Sequence, residues 1–179
     1  LVTTTSADGD LGDCSFQYEW QHPVPTDNCA ILSYTVSYVN PDGTTEGPNN
    51  IYQGSSKTPI SEVNRDFEIG VTTVTYFVED IHGNTTTCSF NVTVTDIETP
   101  IFVNCPEGTT FTIGADANCQ NGVIWGIPVA EDNCGTVTVT ETTIGGPRHG
   151  TQLVPGTYSI QYTATDGATP PNTDVCNFT

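Results

Sequence analysis

Cysteines frame a phrase that this chain spells twice. Cys14 opens and Cys29 closes CSFQYEWQHPVPTDNC; Cys119 opens and Cys134 closes CQNGVIWGIPVAEDNC. Each copy carries a Trp six residues in, Trp20 or Trp125, and ends on Pro-Val-x-x-Asp-Asn-Cys. Thiols at such spacing either hold a metal or oxidise to disulfides. Structural zinc calls for paired thiols two to four residues apart, and no two of the seven Cys stand that close. Seven Cys in a Thr-rich, Lys-poor chain point instead to disulfides and an oxidising compartment. The duplicated phrase predicts Cys14–Cys29 and Cys119–Cys134 bonds, each closing a loop around a Trp. In the chain-entropy model a loop of about 15 residues contributes roughly 3 kcal/mol.

Other reactive groups form no catalytic frame. His22, His82 and His149 sit in no nucleophile-elbow or metalloprotease pattern, do not recur between the copies, and read as exposed loop residues. Carboxylate pairs for glycoside hydrolysis have no specificity among 21 acidic residues. The chain is read as a non-enzyme that requires no cofactor. Calcium is the cation its oxygens suit, because hard cations take several carboxylates and carbonyls at one place. Asp8, Asp10 and Asp13 fall within six residues, and Asp96 and Glu98 stand where the two repeats join. Asp27, Asp80, Asp132 and Asp166 recur at matching positions and read as Asx turns at strand ends. Glycosylation sequons occur at Asn84, Asn91 and Asn177, chemistry that needs a surface site and a secretory route. Trp20 and Trp125 read as core residues packed against a disulfide, as in immunoglobulin-like sandwiches, rather than as carbohydrate platforms.

Charge narrows the partners. Against the acidic residues stand only Lys57, Arg65 and Arg148, and the net charge is −18. That excludes a basic patch for nucleic acid or anionic membrane. No apolar run is long enough to span a bilayer and no signal-peptide pattern is present, so direct membrane insertion is not expected. The chain contains no Met and reads as a processed protein or a piece of a longer one.

The elements that must position these groups are strands. LSYTVSYV (32–39), VTTVTYFV (71–78), CSFNVTVT (88–95), TVTVTETT (136–143) and TYSIQYTAT (157–165) alternate or are rich in β-branched residues, each bounded by Gly, Pro, Asn or Asp. Helix signals are almost absent. GVTTVTYFVED (70–80) matches GTYSIQYTATD (156–166), aligning Tyr76 with Tyr162 and Asp80 with Asp166, and each match leads through a turn to a Cys, Cys88 or Cys176. Two domains follow, 1–96 and 97–179. The first lacks its opening strand and carries a turn-rich insertion at 40–59, read as a long loop or an added hairpin. The last strand of the second is truncated.

These residues resemble the hyalin repeat, or HYR, family. The second unit shows the Pro-x-x-x-x-Cys-Pro opening (Pro100, Cys105, Pro106), the Trp before a Pro-x-Ala-x-Asp-Asn segment (Trp125, Pro128, Ala130, Asp132, Asn133), the Gly156–Tyr162–Ala164–Asp166 strand and the Cys176–Phe178 close. The first matches at Trp20, Pro23, Pro25, Asp27, Asn28, Gly70, Tyr76, Asp80, Cys88, Phe90 and Val92. The resemblance implies an all-β chain of two tandem immunoglobulin-like β-sandwich repeats. Four cysteines in the second unit permit three pairings, and the resemblance implies Cys105 with Cys176. The partner of Cys88 would then precede Leu1, leaving Cys88 unpaired or joined to another chain. The extra Cys around each Trp resembles the bacterial form found in very large surface adhesins.

The expected function is a structural and adhesive repeat of a secreted or cell-surface protein, forming an extended rod. Its partners would be neighbouring repeats, other copies, or a surface or glycan ligand. A filament subunit joined by strand exchange and a ligand-binding accessory module of a secreted enzyme are the alternatives.

Overall fold

Side chains along a strand alternate between faces, and here the alternation sorts core from surface almost residue by residue. The computed structural model describes residues 6–8, 12–53, 58–59, 63–119 and 121–179. The chain divides into two units, Leu1–Asp96 and Ile97–Thr179, and among the described residues it is all-β with no helix.

Unit 1 holds β1 (Ser6–Asp8), β2 (Ser15–Trp20), β3 (Ile31–Val39), β4 (Thr45–Asn50), β5 (Tyr52–Gln53), β6 (Thr58–Pro59), β7 (Val63–Glu68), β8 (Gly70–Asp80) and β9 (Thr85–Thr95). One layer is a five-stranded sheet in the order β1-β9-β8-β3-β4; the other is β2 paired with β7. Tyr34, Val36 and Tyr38 of β3, Val74 and Tyr76 of β8, and Val92 and Val94 of β9 all point inward. Phe67 of β7 meets them, with Phe16, Tyr18 and Trp20 of β2 packed against the cluster. Burying each such side chain contributes about 1.5–3 kcal/mol. The alternate residues of β8, Val71, Thr73 and Thr75, face outward or lie half-buried. That is how a Thr-rich strand serves a one-sided sheet.

Among the strands that the sequence does not announce are β7 and β4. β7 (VNRDFE) hides its alternation because Arg65 occupies an inward position, where its guanidinium lies over the Tyr38 ring at 4.1 Å. The 40–59 segment, read as a loop or hairpin, holds β4, the edge strand of the large sheet, as well as the β5–β6 hairpin. β4 is exposed throughout, so it offers no hydrophobic period to read. Its register on β3 shifts between Val36 and Tyr38. Gly47 sits at that bulge with φ of +89°, where a Cβ would stand 2.7 Å from the Val36 carbonyl oxygen. Only Gly fits there.

Unit 2 holds β10 (Ile101–Phe102), β11 (Asn121–Gly122), β12 (Ala130–Glu131), β13 (Thr138–Glu141), β14 (Gln152–Leu153), β15 (Ile160–Thr165) and β16 (Thr173–Phe178). The order β13-β15-β16 repeats β3-β8-β9, and β11-β14 repeats β2-β7. The correspondence reaches the register. Phe16 pairs with Phe67 as Asn121 pairs with Leu153, and Tyr34 pairs with Val78 as Val139 pairs with Ala164. Ile160, Tyr162, Cys176 and Phe178 form the core of this unit, with Phe102, Cys105, Trp125 and Val139 against it.

Candidate functional site

Each sandwich is bolted by a bond between its repeated aromatics. Trp20, ending β2, donates from Nε1 to the Tyr76 hydroxyl in mid-β8 at 2.7 Å. That hydroxyl lies 2.9 Å from His22 Nδ1. An indole N–H can only donate, so the hydroxyl accepts from Trp20 and gives its own proton to Nδ1 of a neutral His22. Burial holds the His22 pKa below its ordinary value and pushes Tyr76 up to about 12. Unit 2 repeats the bolt with Trp125 Nε1 donating to the Tyr162 hydroxyl at 2.9 Å. Glu141 Oε2 stands 3.4 Å from that hydroxyl in the acceptor role, and Ile127 occupies the position of His22.

The placement of His22 corrects the loop reading. It is half-buried, with its ring edge-on to Trp20, Tyr34 and Tyr76. His82 and His149 are exposed, and His149 stands edge-on to Trp125. Trp125 shares its cluster with Cys105 and Cys176. Trp20 instead packs against Tyr18, Phe67 and Phe90.

The recurring Asp residues are turn caps. Asp27 Oδ1 accepts from the Cys29 amide and Asp132 Oδ1 from the Cys134 amide, at 2.8 and 2.7 Å. Asp80 accepts from the amides of His82 and Asn84 through Oδ1 and from Asn84 Nδ2 through Oδ2. Asp166 does the same with the amides of Ala168 and Asn172 and with Asn172 Nδ2. The Asn84 side chain is the largest influence holding the Asp80 carboxyl below its usual range. At Asp166 burial pushes upward, and the bonds from Asn172 and Ala168 outweigh it.

Cys105 and Cys176 form a disulfide with Cα atoms 5.8 Å apart. Cys29, Cys88 and Cys119 are exposed free thiols. The expected Cys14–Cys29 and Cys119–Cys134 bonds are therefore not made, and strand length explains why. Ile69, just before β8, donates its amide to Cys14 O, whereas Ile81, just after β8, donates to Ala30 O. Cys14 and Cys29 thus lie at opposite ends of an eleven-residue strand. At about 3.3 Å per residue that strand spans roughly 35 Å, against the ~7 Å Cα separation a disulfide tolerates. In unit 2, Cys134 leads into β13 opposite the Thr165 end of β15. Cys119 precedes β11, whose partner β14 leads toward the Ile160 end. Equal loop length carried the expectation, but the enclosed phrase runs along the sandwich instead of doubling back.

Of the residues considered for calcium, Asp8 lies in β1 opposite Thr95 and Asp10 falls outside the described residues. Asp13 is exposed. Asp96, directly after β9, is only 6% exposed, and Glu98 Oε2 accepts from Asn133 Nδ2 at 2.6 Å. Asp132 Oδ2 is buried without a hydrogen-bond partner, an orphan acceptor that the sequence gives no sign of. Among the sequons, Asn84 spends its side-chain nitrogen on Asp80. Asn91 and Asn177 are exposed on strands and accept through Oδ1 from Thr73 and Gln161.

Unit 2 also opens a groove of about 720 Å³ beside Trp125, lined by Phe111, Val123, Leu153, Tyr158 and Phe178. The cause is compositional. Where unit 1 places Phe16, Tyr18 and Phe67 between its layers, unit 2 has Asn121, Val123 and Leu153.

Hyalin of Strongylocentrotus purpuratus is 29% identical over 209 residues, a match that covers 99% of this chain and 17% of hyalin. Similar solved structures include three cadherin-type proteins. The Drosophila N-cadherin EC1-4 structure is 16% identical, with 84% of this chain and 40% of that chain covered and a TM-score of 0.37. Human CDH23 EC21-23 is 16% identical, covering 84% and 62%, with a TM-score of 0.34. Protocadherin Gamma C5 EC1-3 is 12% identical, covering 98% and 64%, with a TM-score of 0.35. Residues 35–94 and 95–179 each match the HYR domain. The first match starts inside β3, and the Trp20–Tyr76 bolt carries the repeat back to β2. With one match on each sandwich, this chain belongs to the HYR domain family.

Proposed function

We propose that the two HYR domains are a non-enzymatic structural and adhesive module of a secreted or cell-surface protein, set in series to extend it as a rod. The observation that carries this reading is the duplication itself. Two sandwiches in one chain repeat the same bolt, the same caps and the same register. Modules in series add length while each mainly contacts its neighbour, and a disulfide supports a modest core outside the cell. The partners are neighbouring repeats and other copies, with a surface or glycan ligand as the adhesive target. A bacterial surface adhesin is the parent that the cysteine-rich phrase favours. Small-angle scattering on the purified chain tests the rod: an elongated two-lobed profile is expected, and a compact sphere overturns it. Coated beads that gain no adhesion to cells or glycans overturn the adhesive part.

Calcium is proposed as a stabilising ion, supported by the charge of −18 and by the close spacing of carboxylates along the chain. The candidate ligands remain Asp8, Asp10, Asp13, Asp96 and Glu98. Binding to the folded state raises the melting temperature by mass action; a melt unmoved by millimolar calcium or by chelator refutes it. Glycosylation is proposed at Asn91 and Asn177 ahead of Asn84, whose nitrogen is occupied, with glycopeptide mass spectrometry as the check.

A further inference from the structure

The two units differ at a sheet edge that lies well inside the chain. β13 answers to β3 in register, so Val139 stands where unit 1 has Tyr34, and Glu141 where it has Val36. In unit 1 that edge is filled. β4 pairs with β3, the Ile51 amide just beyond it donates to Tyr34 O, and Arg65 from the other layer holds Glu46 of β4 by both carboxylate oxygens. The filling strand is polar and exposed along its whole length. The connection that supplies it, between β3 and β7, is reduced in unit 2 to residues 142–151. Among the described residues no strand lies on the outer edge of β13. The Thr142 amide donates to Gln161 O, and bonded pairs alternate along an antiparallel ladder. Val139 and Glu141 therefore turn their amides and carbonyls away from β15. The connection folds back on the end of β13, where the His149 amide reaches Glu141 Oε2 at 3.3 Å. Arg148, next to it, is exposed and, among the described residues, in no ion pair.

We propose that the β13 edge accepts an added strand from a partner protein, an extended polar segment with the chemistry of β4 and one carboxylate for Arg148. Backbone pairing to Val139 and Glu141 supplies the affinity, and the carboxylate meets Arg148 as Glu46 meets Arg65. Charge narrows the occupant. Arg148 is the only Lys or Arg of unit 2, so it serves one carboxylate, and the net charge of −18 repels a segment that carries many. The Glu141 side chain points inward, toward the Tyr162 hydroxyl. An inward charge on an edge strand discourages unselective sheet growth, and a second copy's β13 would double that charge at the seam. That favours a foreign strand over self-pairing. The inference rests on the adhesive reading and names a protein strand as its surface ligand.

The test uses the whole chain and a fluorescent peptide, Thr-Thr-Glu-Gly-Pro-Asn-Asn-Ile, copied from positions 44–51. Anisotropy follows binding, and amide hydrogen exchange by NMR locates it. Saturable binding is expected, with exchange at the Val139 and Glu141 amides slowed about ten-fold at ten times Kd, where roughly one edge in eleven stays open. The β3 amides of unit 1 should not change. A peptide N-methylated along its pairing edge should not bind. Arg148→Gln should weaken binding up to about five-fold, the upper end for a surface ion pair. Glu→Gln in the peptide should weaken binding to wild type but not to Arg148→Gln. No saturable binding, protection in unit 1 instead of at β13, undiminished binding of the N-methylated peptide, or wild-type affinity in Arg148→Gln overturns the proposal. So does the same protection in the concentrated chain without peptide, which would make a second copy the occupant. Coated beads can still adhere after any of these results, so failure here is distinct from failure of the adhesive reading.

Discussion

Trp20 Nε1 and the Tyr76 hydroxyl stand 2.7 Å apart although 56 residues separate them in the chain. The bond joins the two layers of unit 1, and its consequences are open to measurement.

Replacing Tyr76 by Phe keeps the ring and removes the hydroxyl. Trp20 Nε1 then loses its acceptor and His22 Nδ1 its donor. A part-buried group left without a partner costs about 1–3 kcal/mol. Denaturant melts should show that loss for Tyr76→Phe, and a comparable one for Tyr162→Phe in unit 2. A change within a few tenths of a kcal/mol for both would mean that the bolts carry no stability.

His22 makes unit 1 sensitive to mild acid. Its folded pKa lies below the ordinary 6.5 because burial disfavours the charged ring. The neutral form is therefore the one the fold holds. Its contribution is complete above pH 6.5 and is lost as pH falls toward the folded value. Protonated Nδ1 could only donate, and the Tyr76 hydroxyl would face two donors. Urea melts from pH 7.5 to 5 should show stability declining in wild type and nearly flat in His22→Gln. The same slope in both proteins would assign the effect elsewhere.

Arg65 and Glu46 separate charge from packing. Arg65 donates to both Glu46 oxygens at 2.6 and 2.9 Å, and these bonds, with Asn40, pull the Glu46 pKa down to about 2. The carboxylate is 48% exposed, so solvent screens the pair and Glu46→Gln should cost under about 1 kcal/mol, less in high salt. Arg65 also lies over the Tyr38 ring. Arg65→Met keeps much of the apolar stem, and Arg65→Ala removes both stem and charge. Thermal melts should rank the losses as Ala greatest and Glu46→Gln smallest; equal losses would leave the charge alone responsible.

Asp80 and Asp166 set the acid limit. Both carboxyls lie below their ordinary value, so their contribution is present above about 3.8 and lost as pH falls through the folded value. Double replacement by Asn should lower the melting temperature at pH 7 and flatten its fall between pH 4 and 2. A variant with an acid limb as steep as wild type would place the titrating groups elsewhere.

Much of the fold is legible in the order of the residues. Period-two alternation in LSYTVSYV and VTTVTYFV puts Tyr34, Val36 and Tyr76 on a core face, because the pleat leaves a residue only two sides to choose from. The repeat of Gly70–Asp80 in Gly156–Asp166 announces two units, and Asp followed by turn residues announces the caps, since an Asx turn closes over a few residues of local chain. Cysteine pairing and the role of His22 depend on distance through space. The sixteen-residue phrase looks like a loop, but eleven residues of β8 hold its ends far apart. Trp20, Tyr76 and His22 meet only because two layers close on one another, and Arg65 looks like surface until Tyr38 lies beneath it. Local spacing determined strands, turns and duplication; the closing of the sandwich decided which aromatics bond and which thiols stay free.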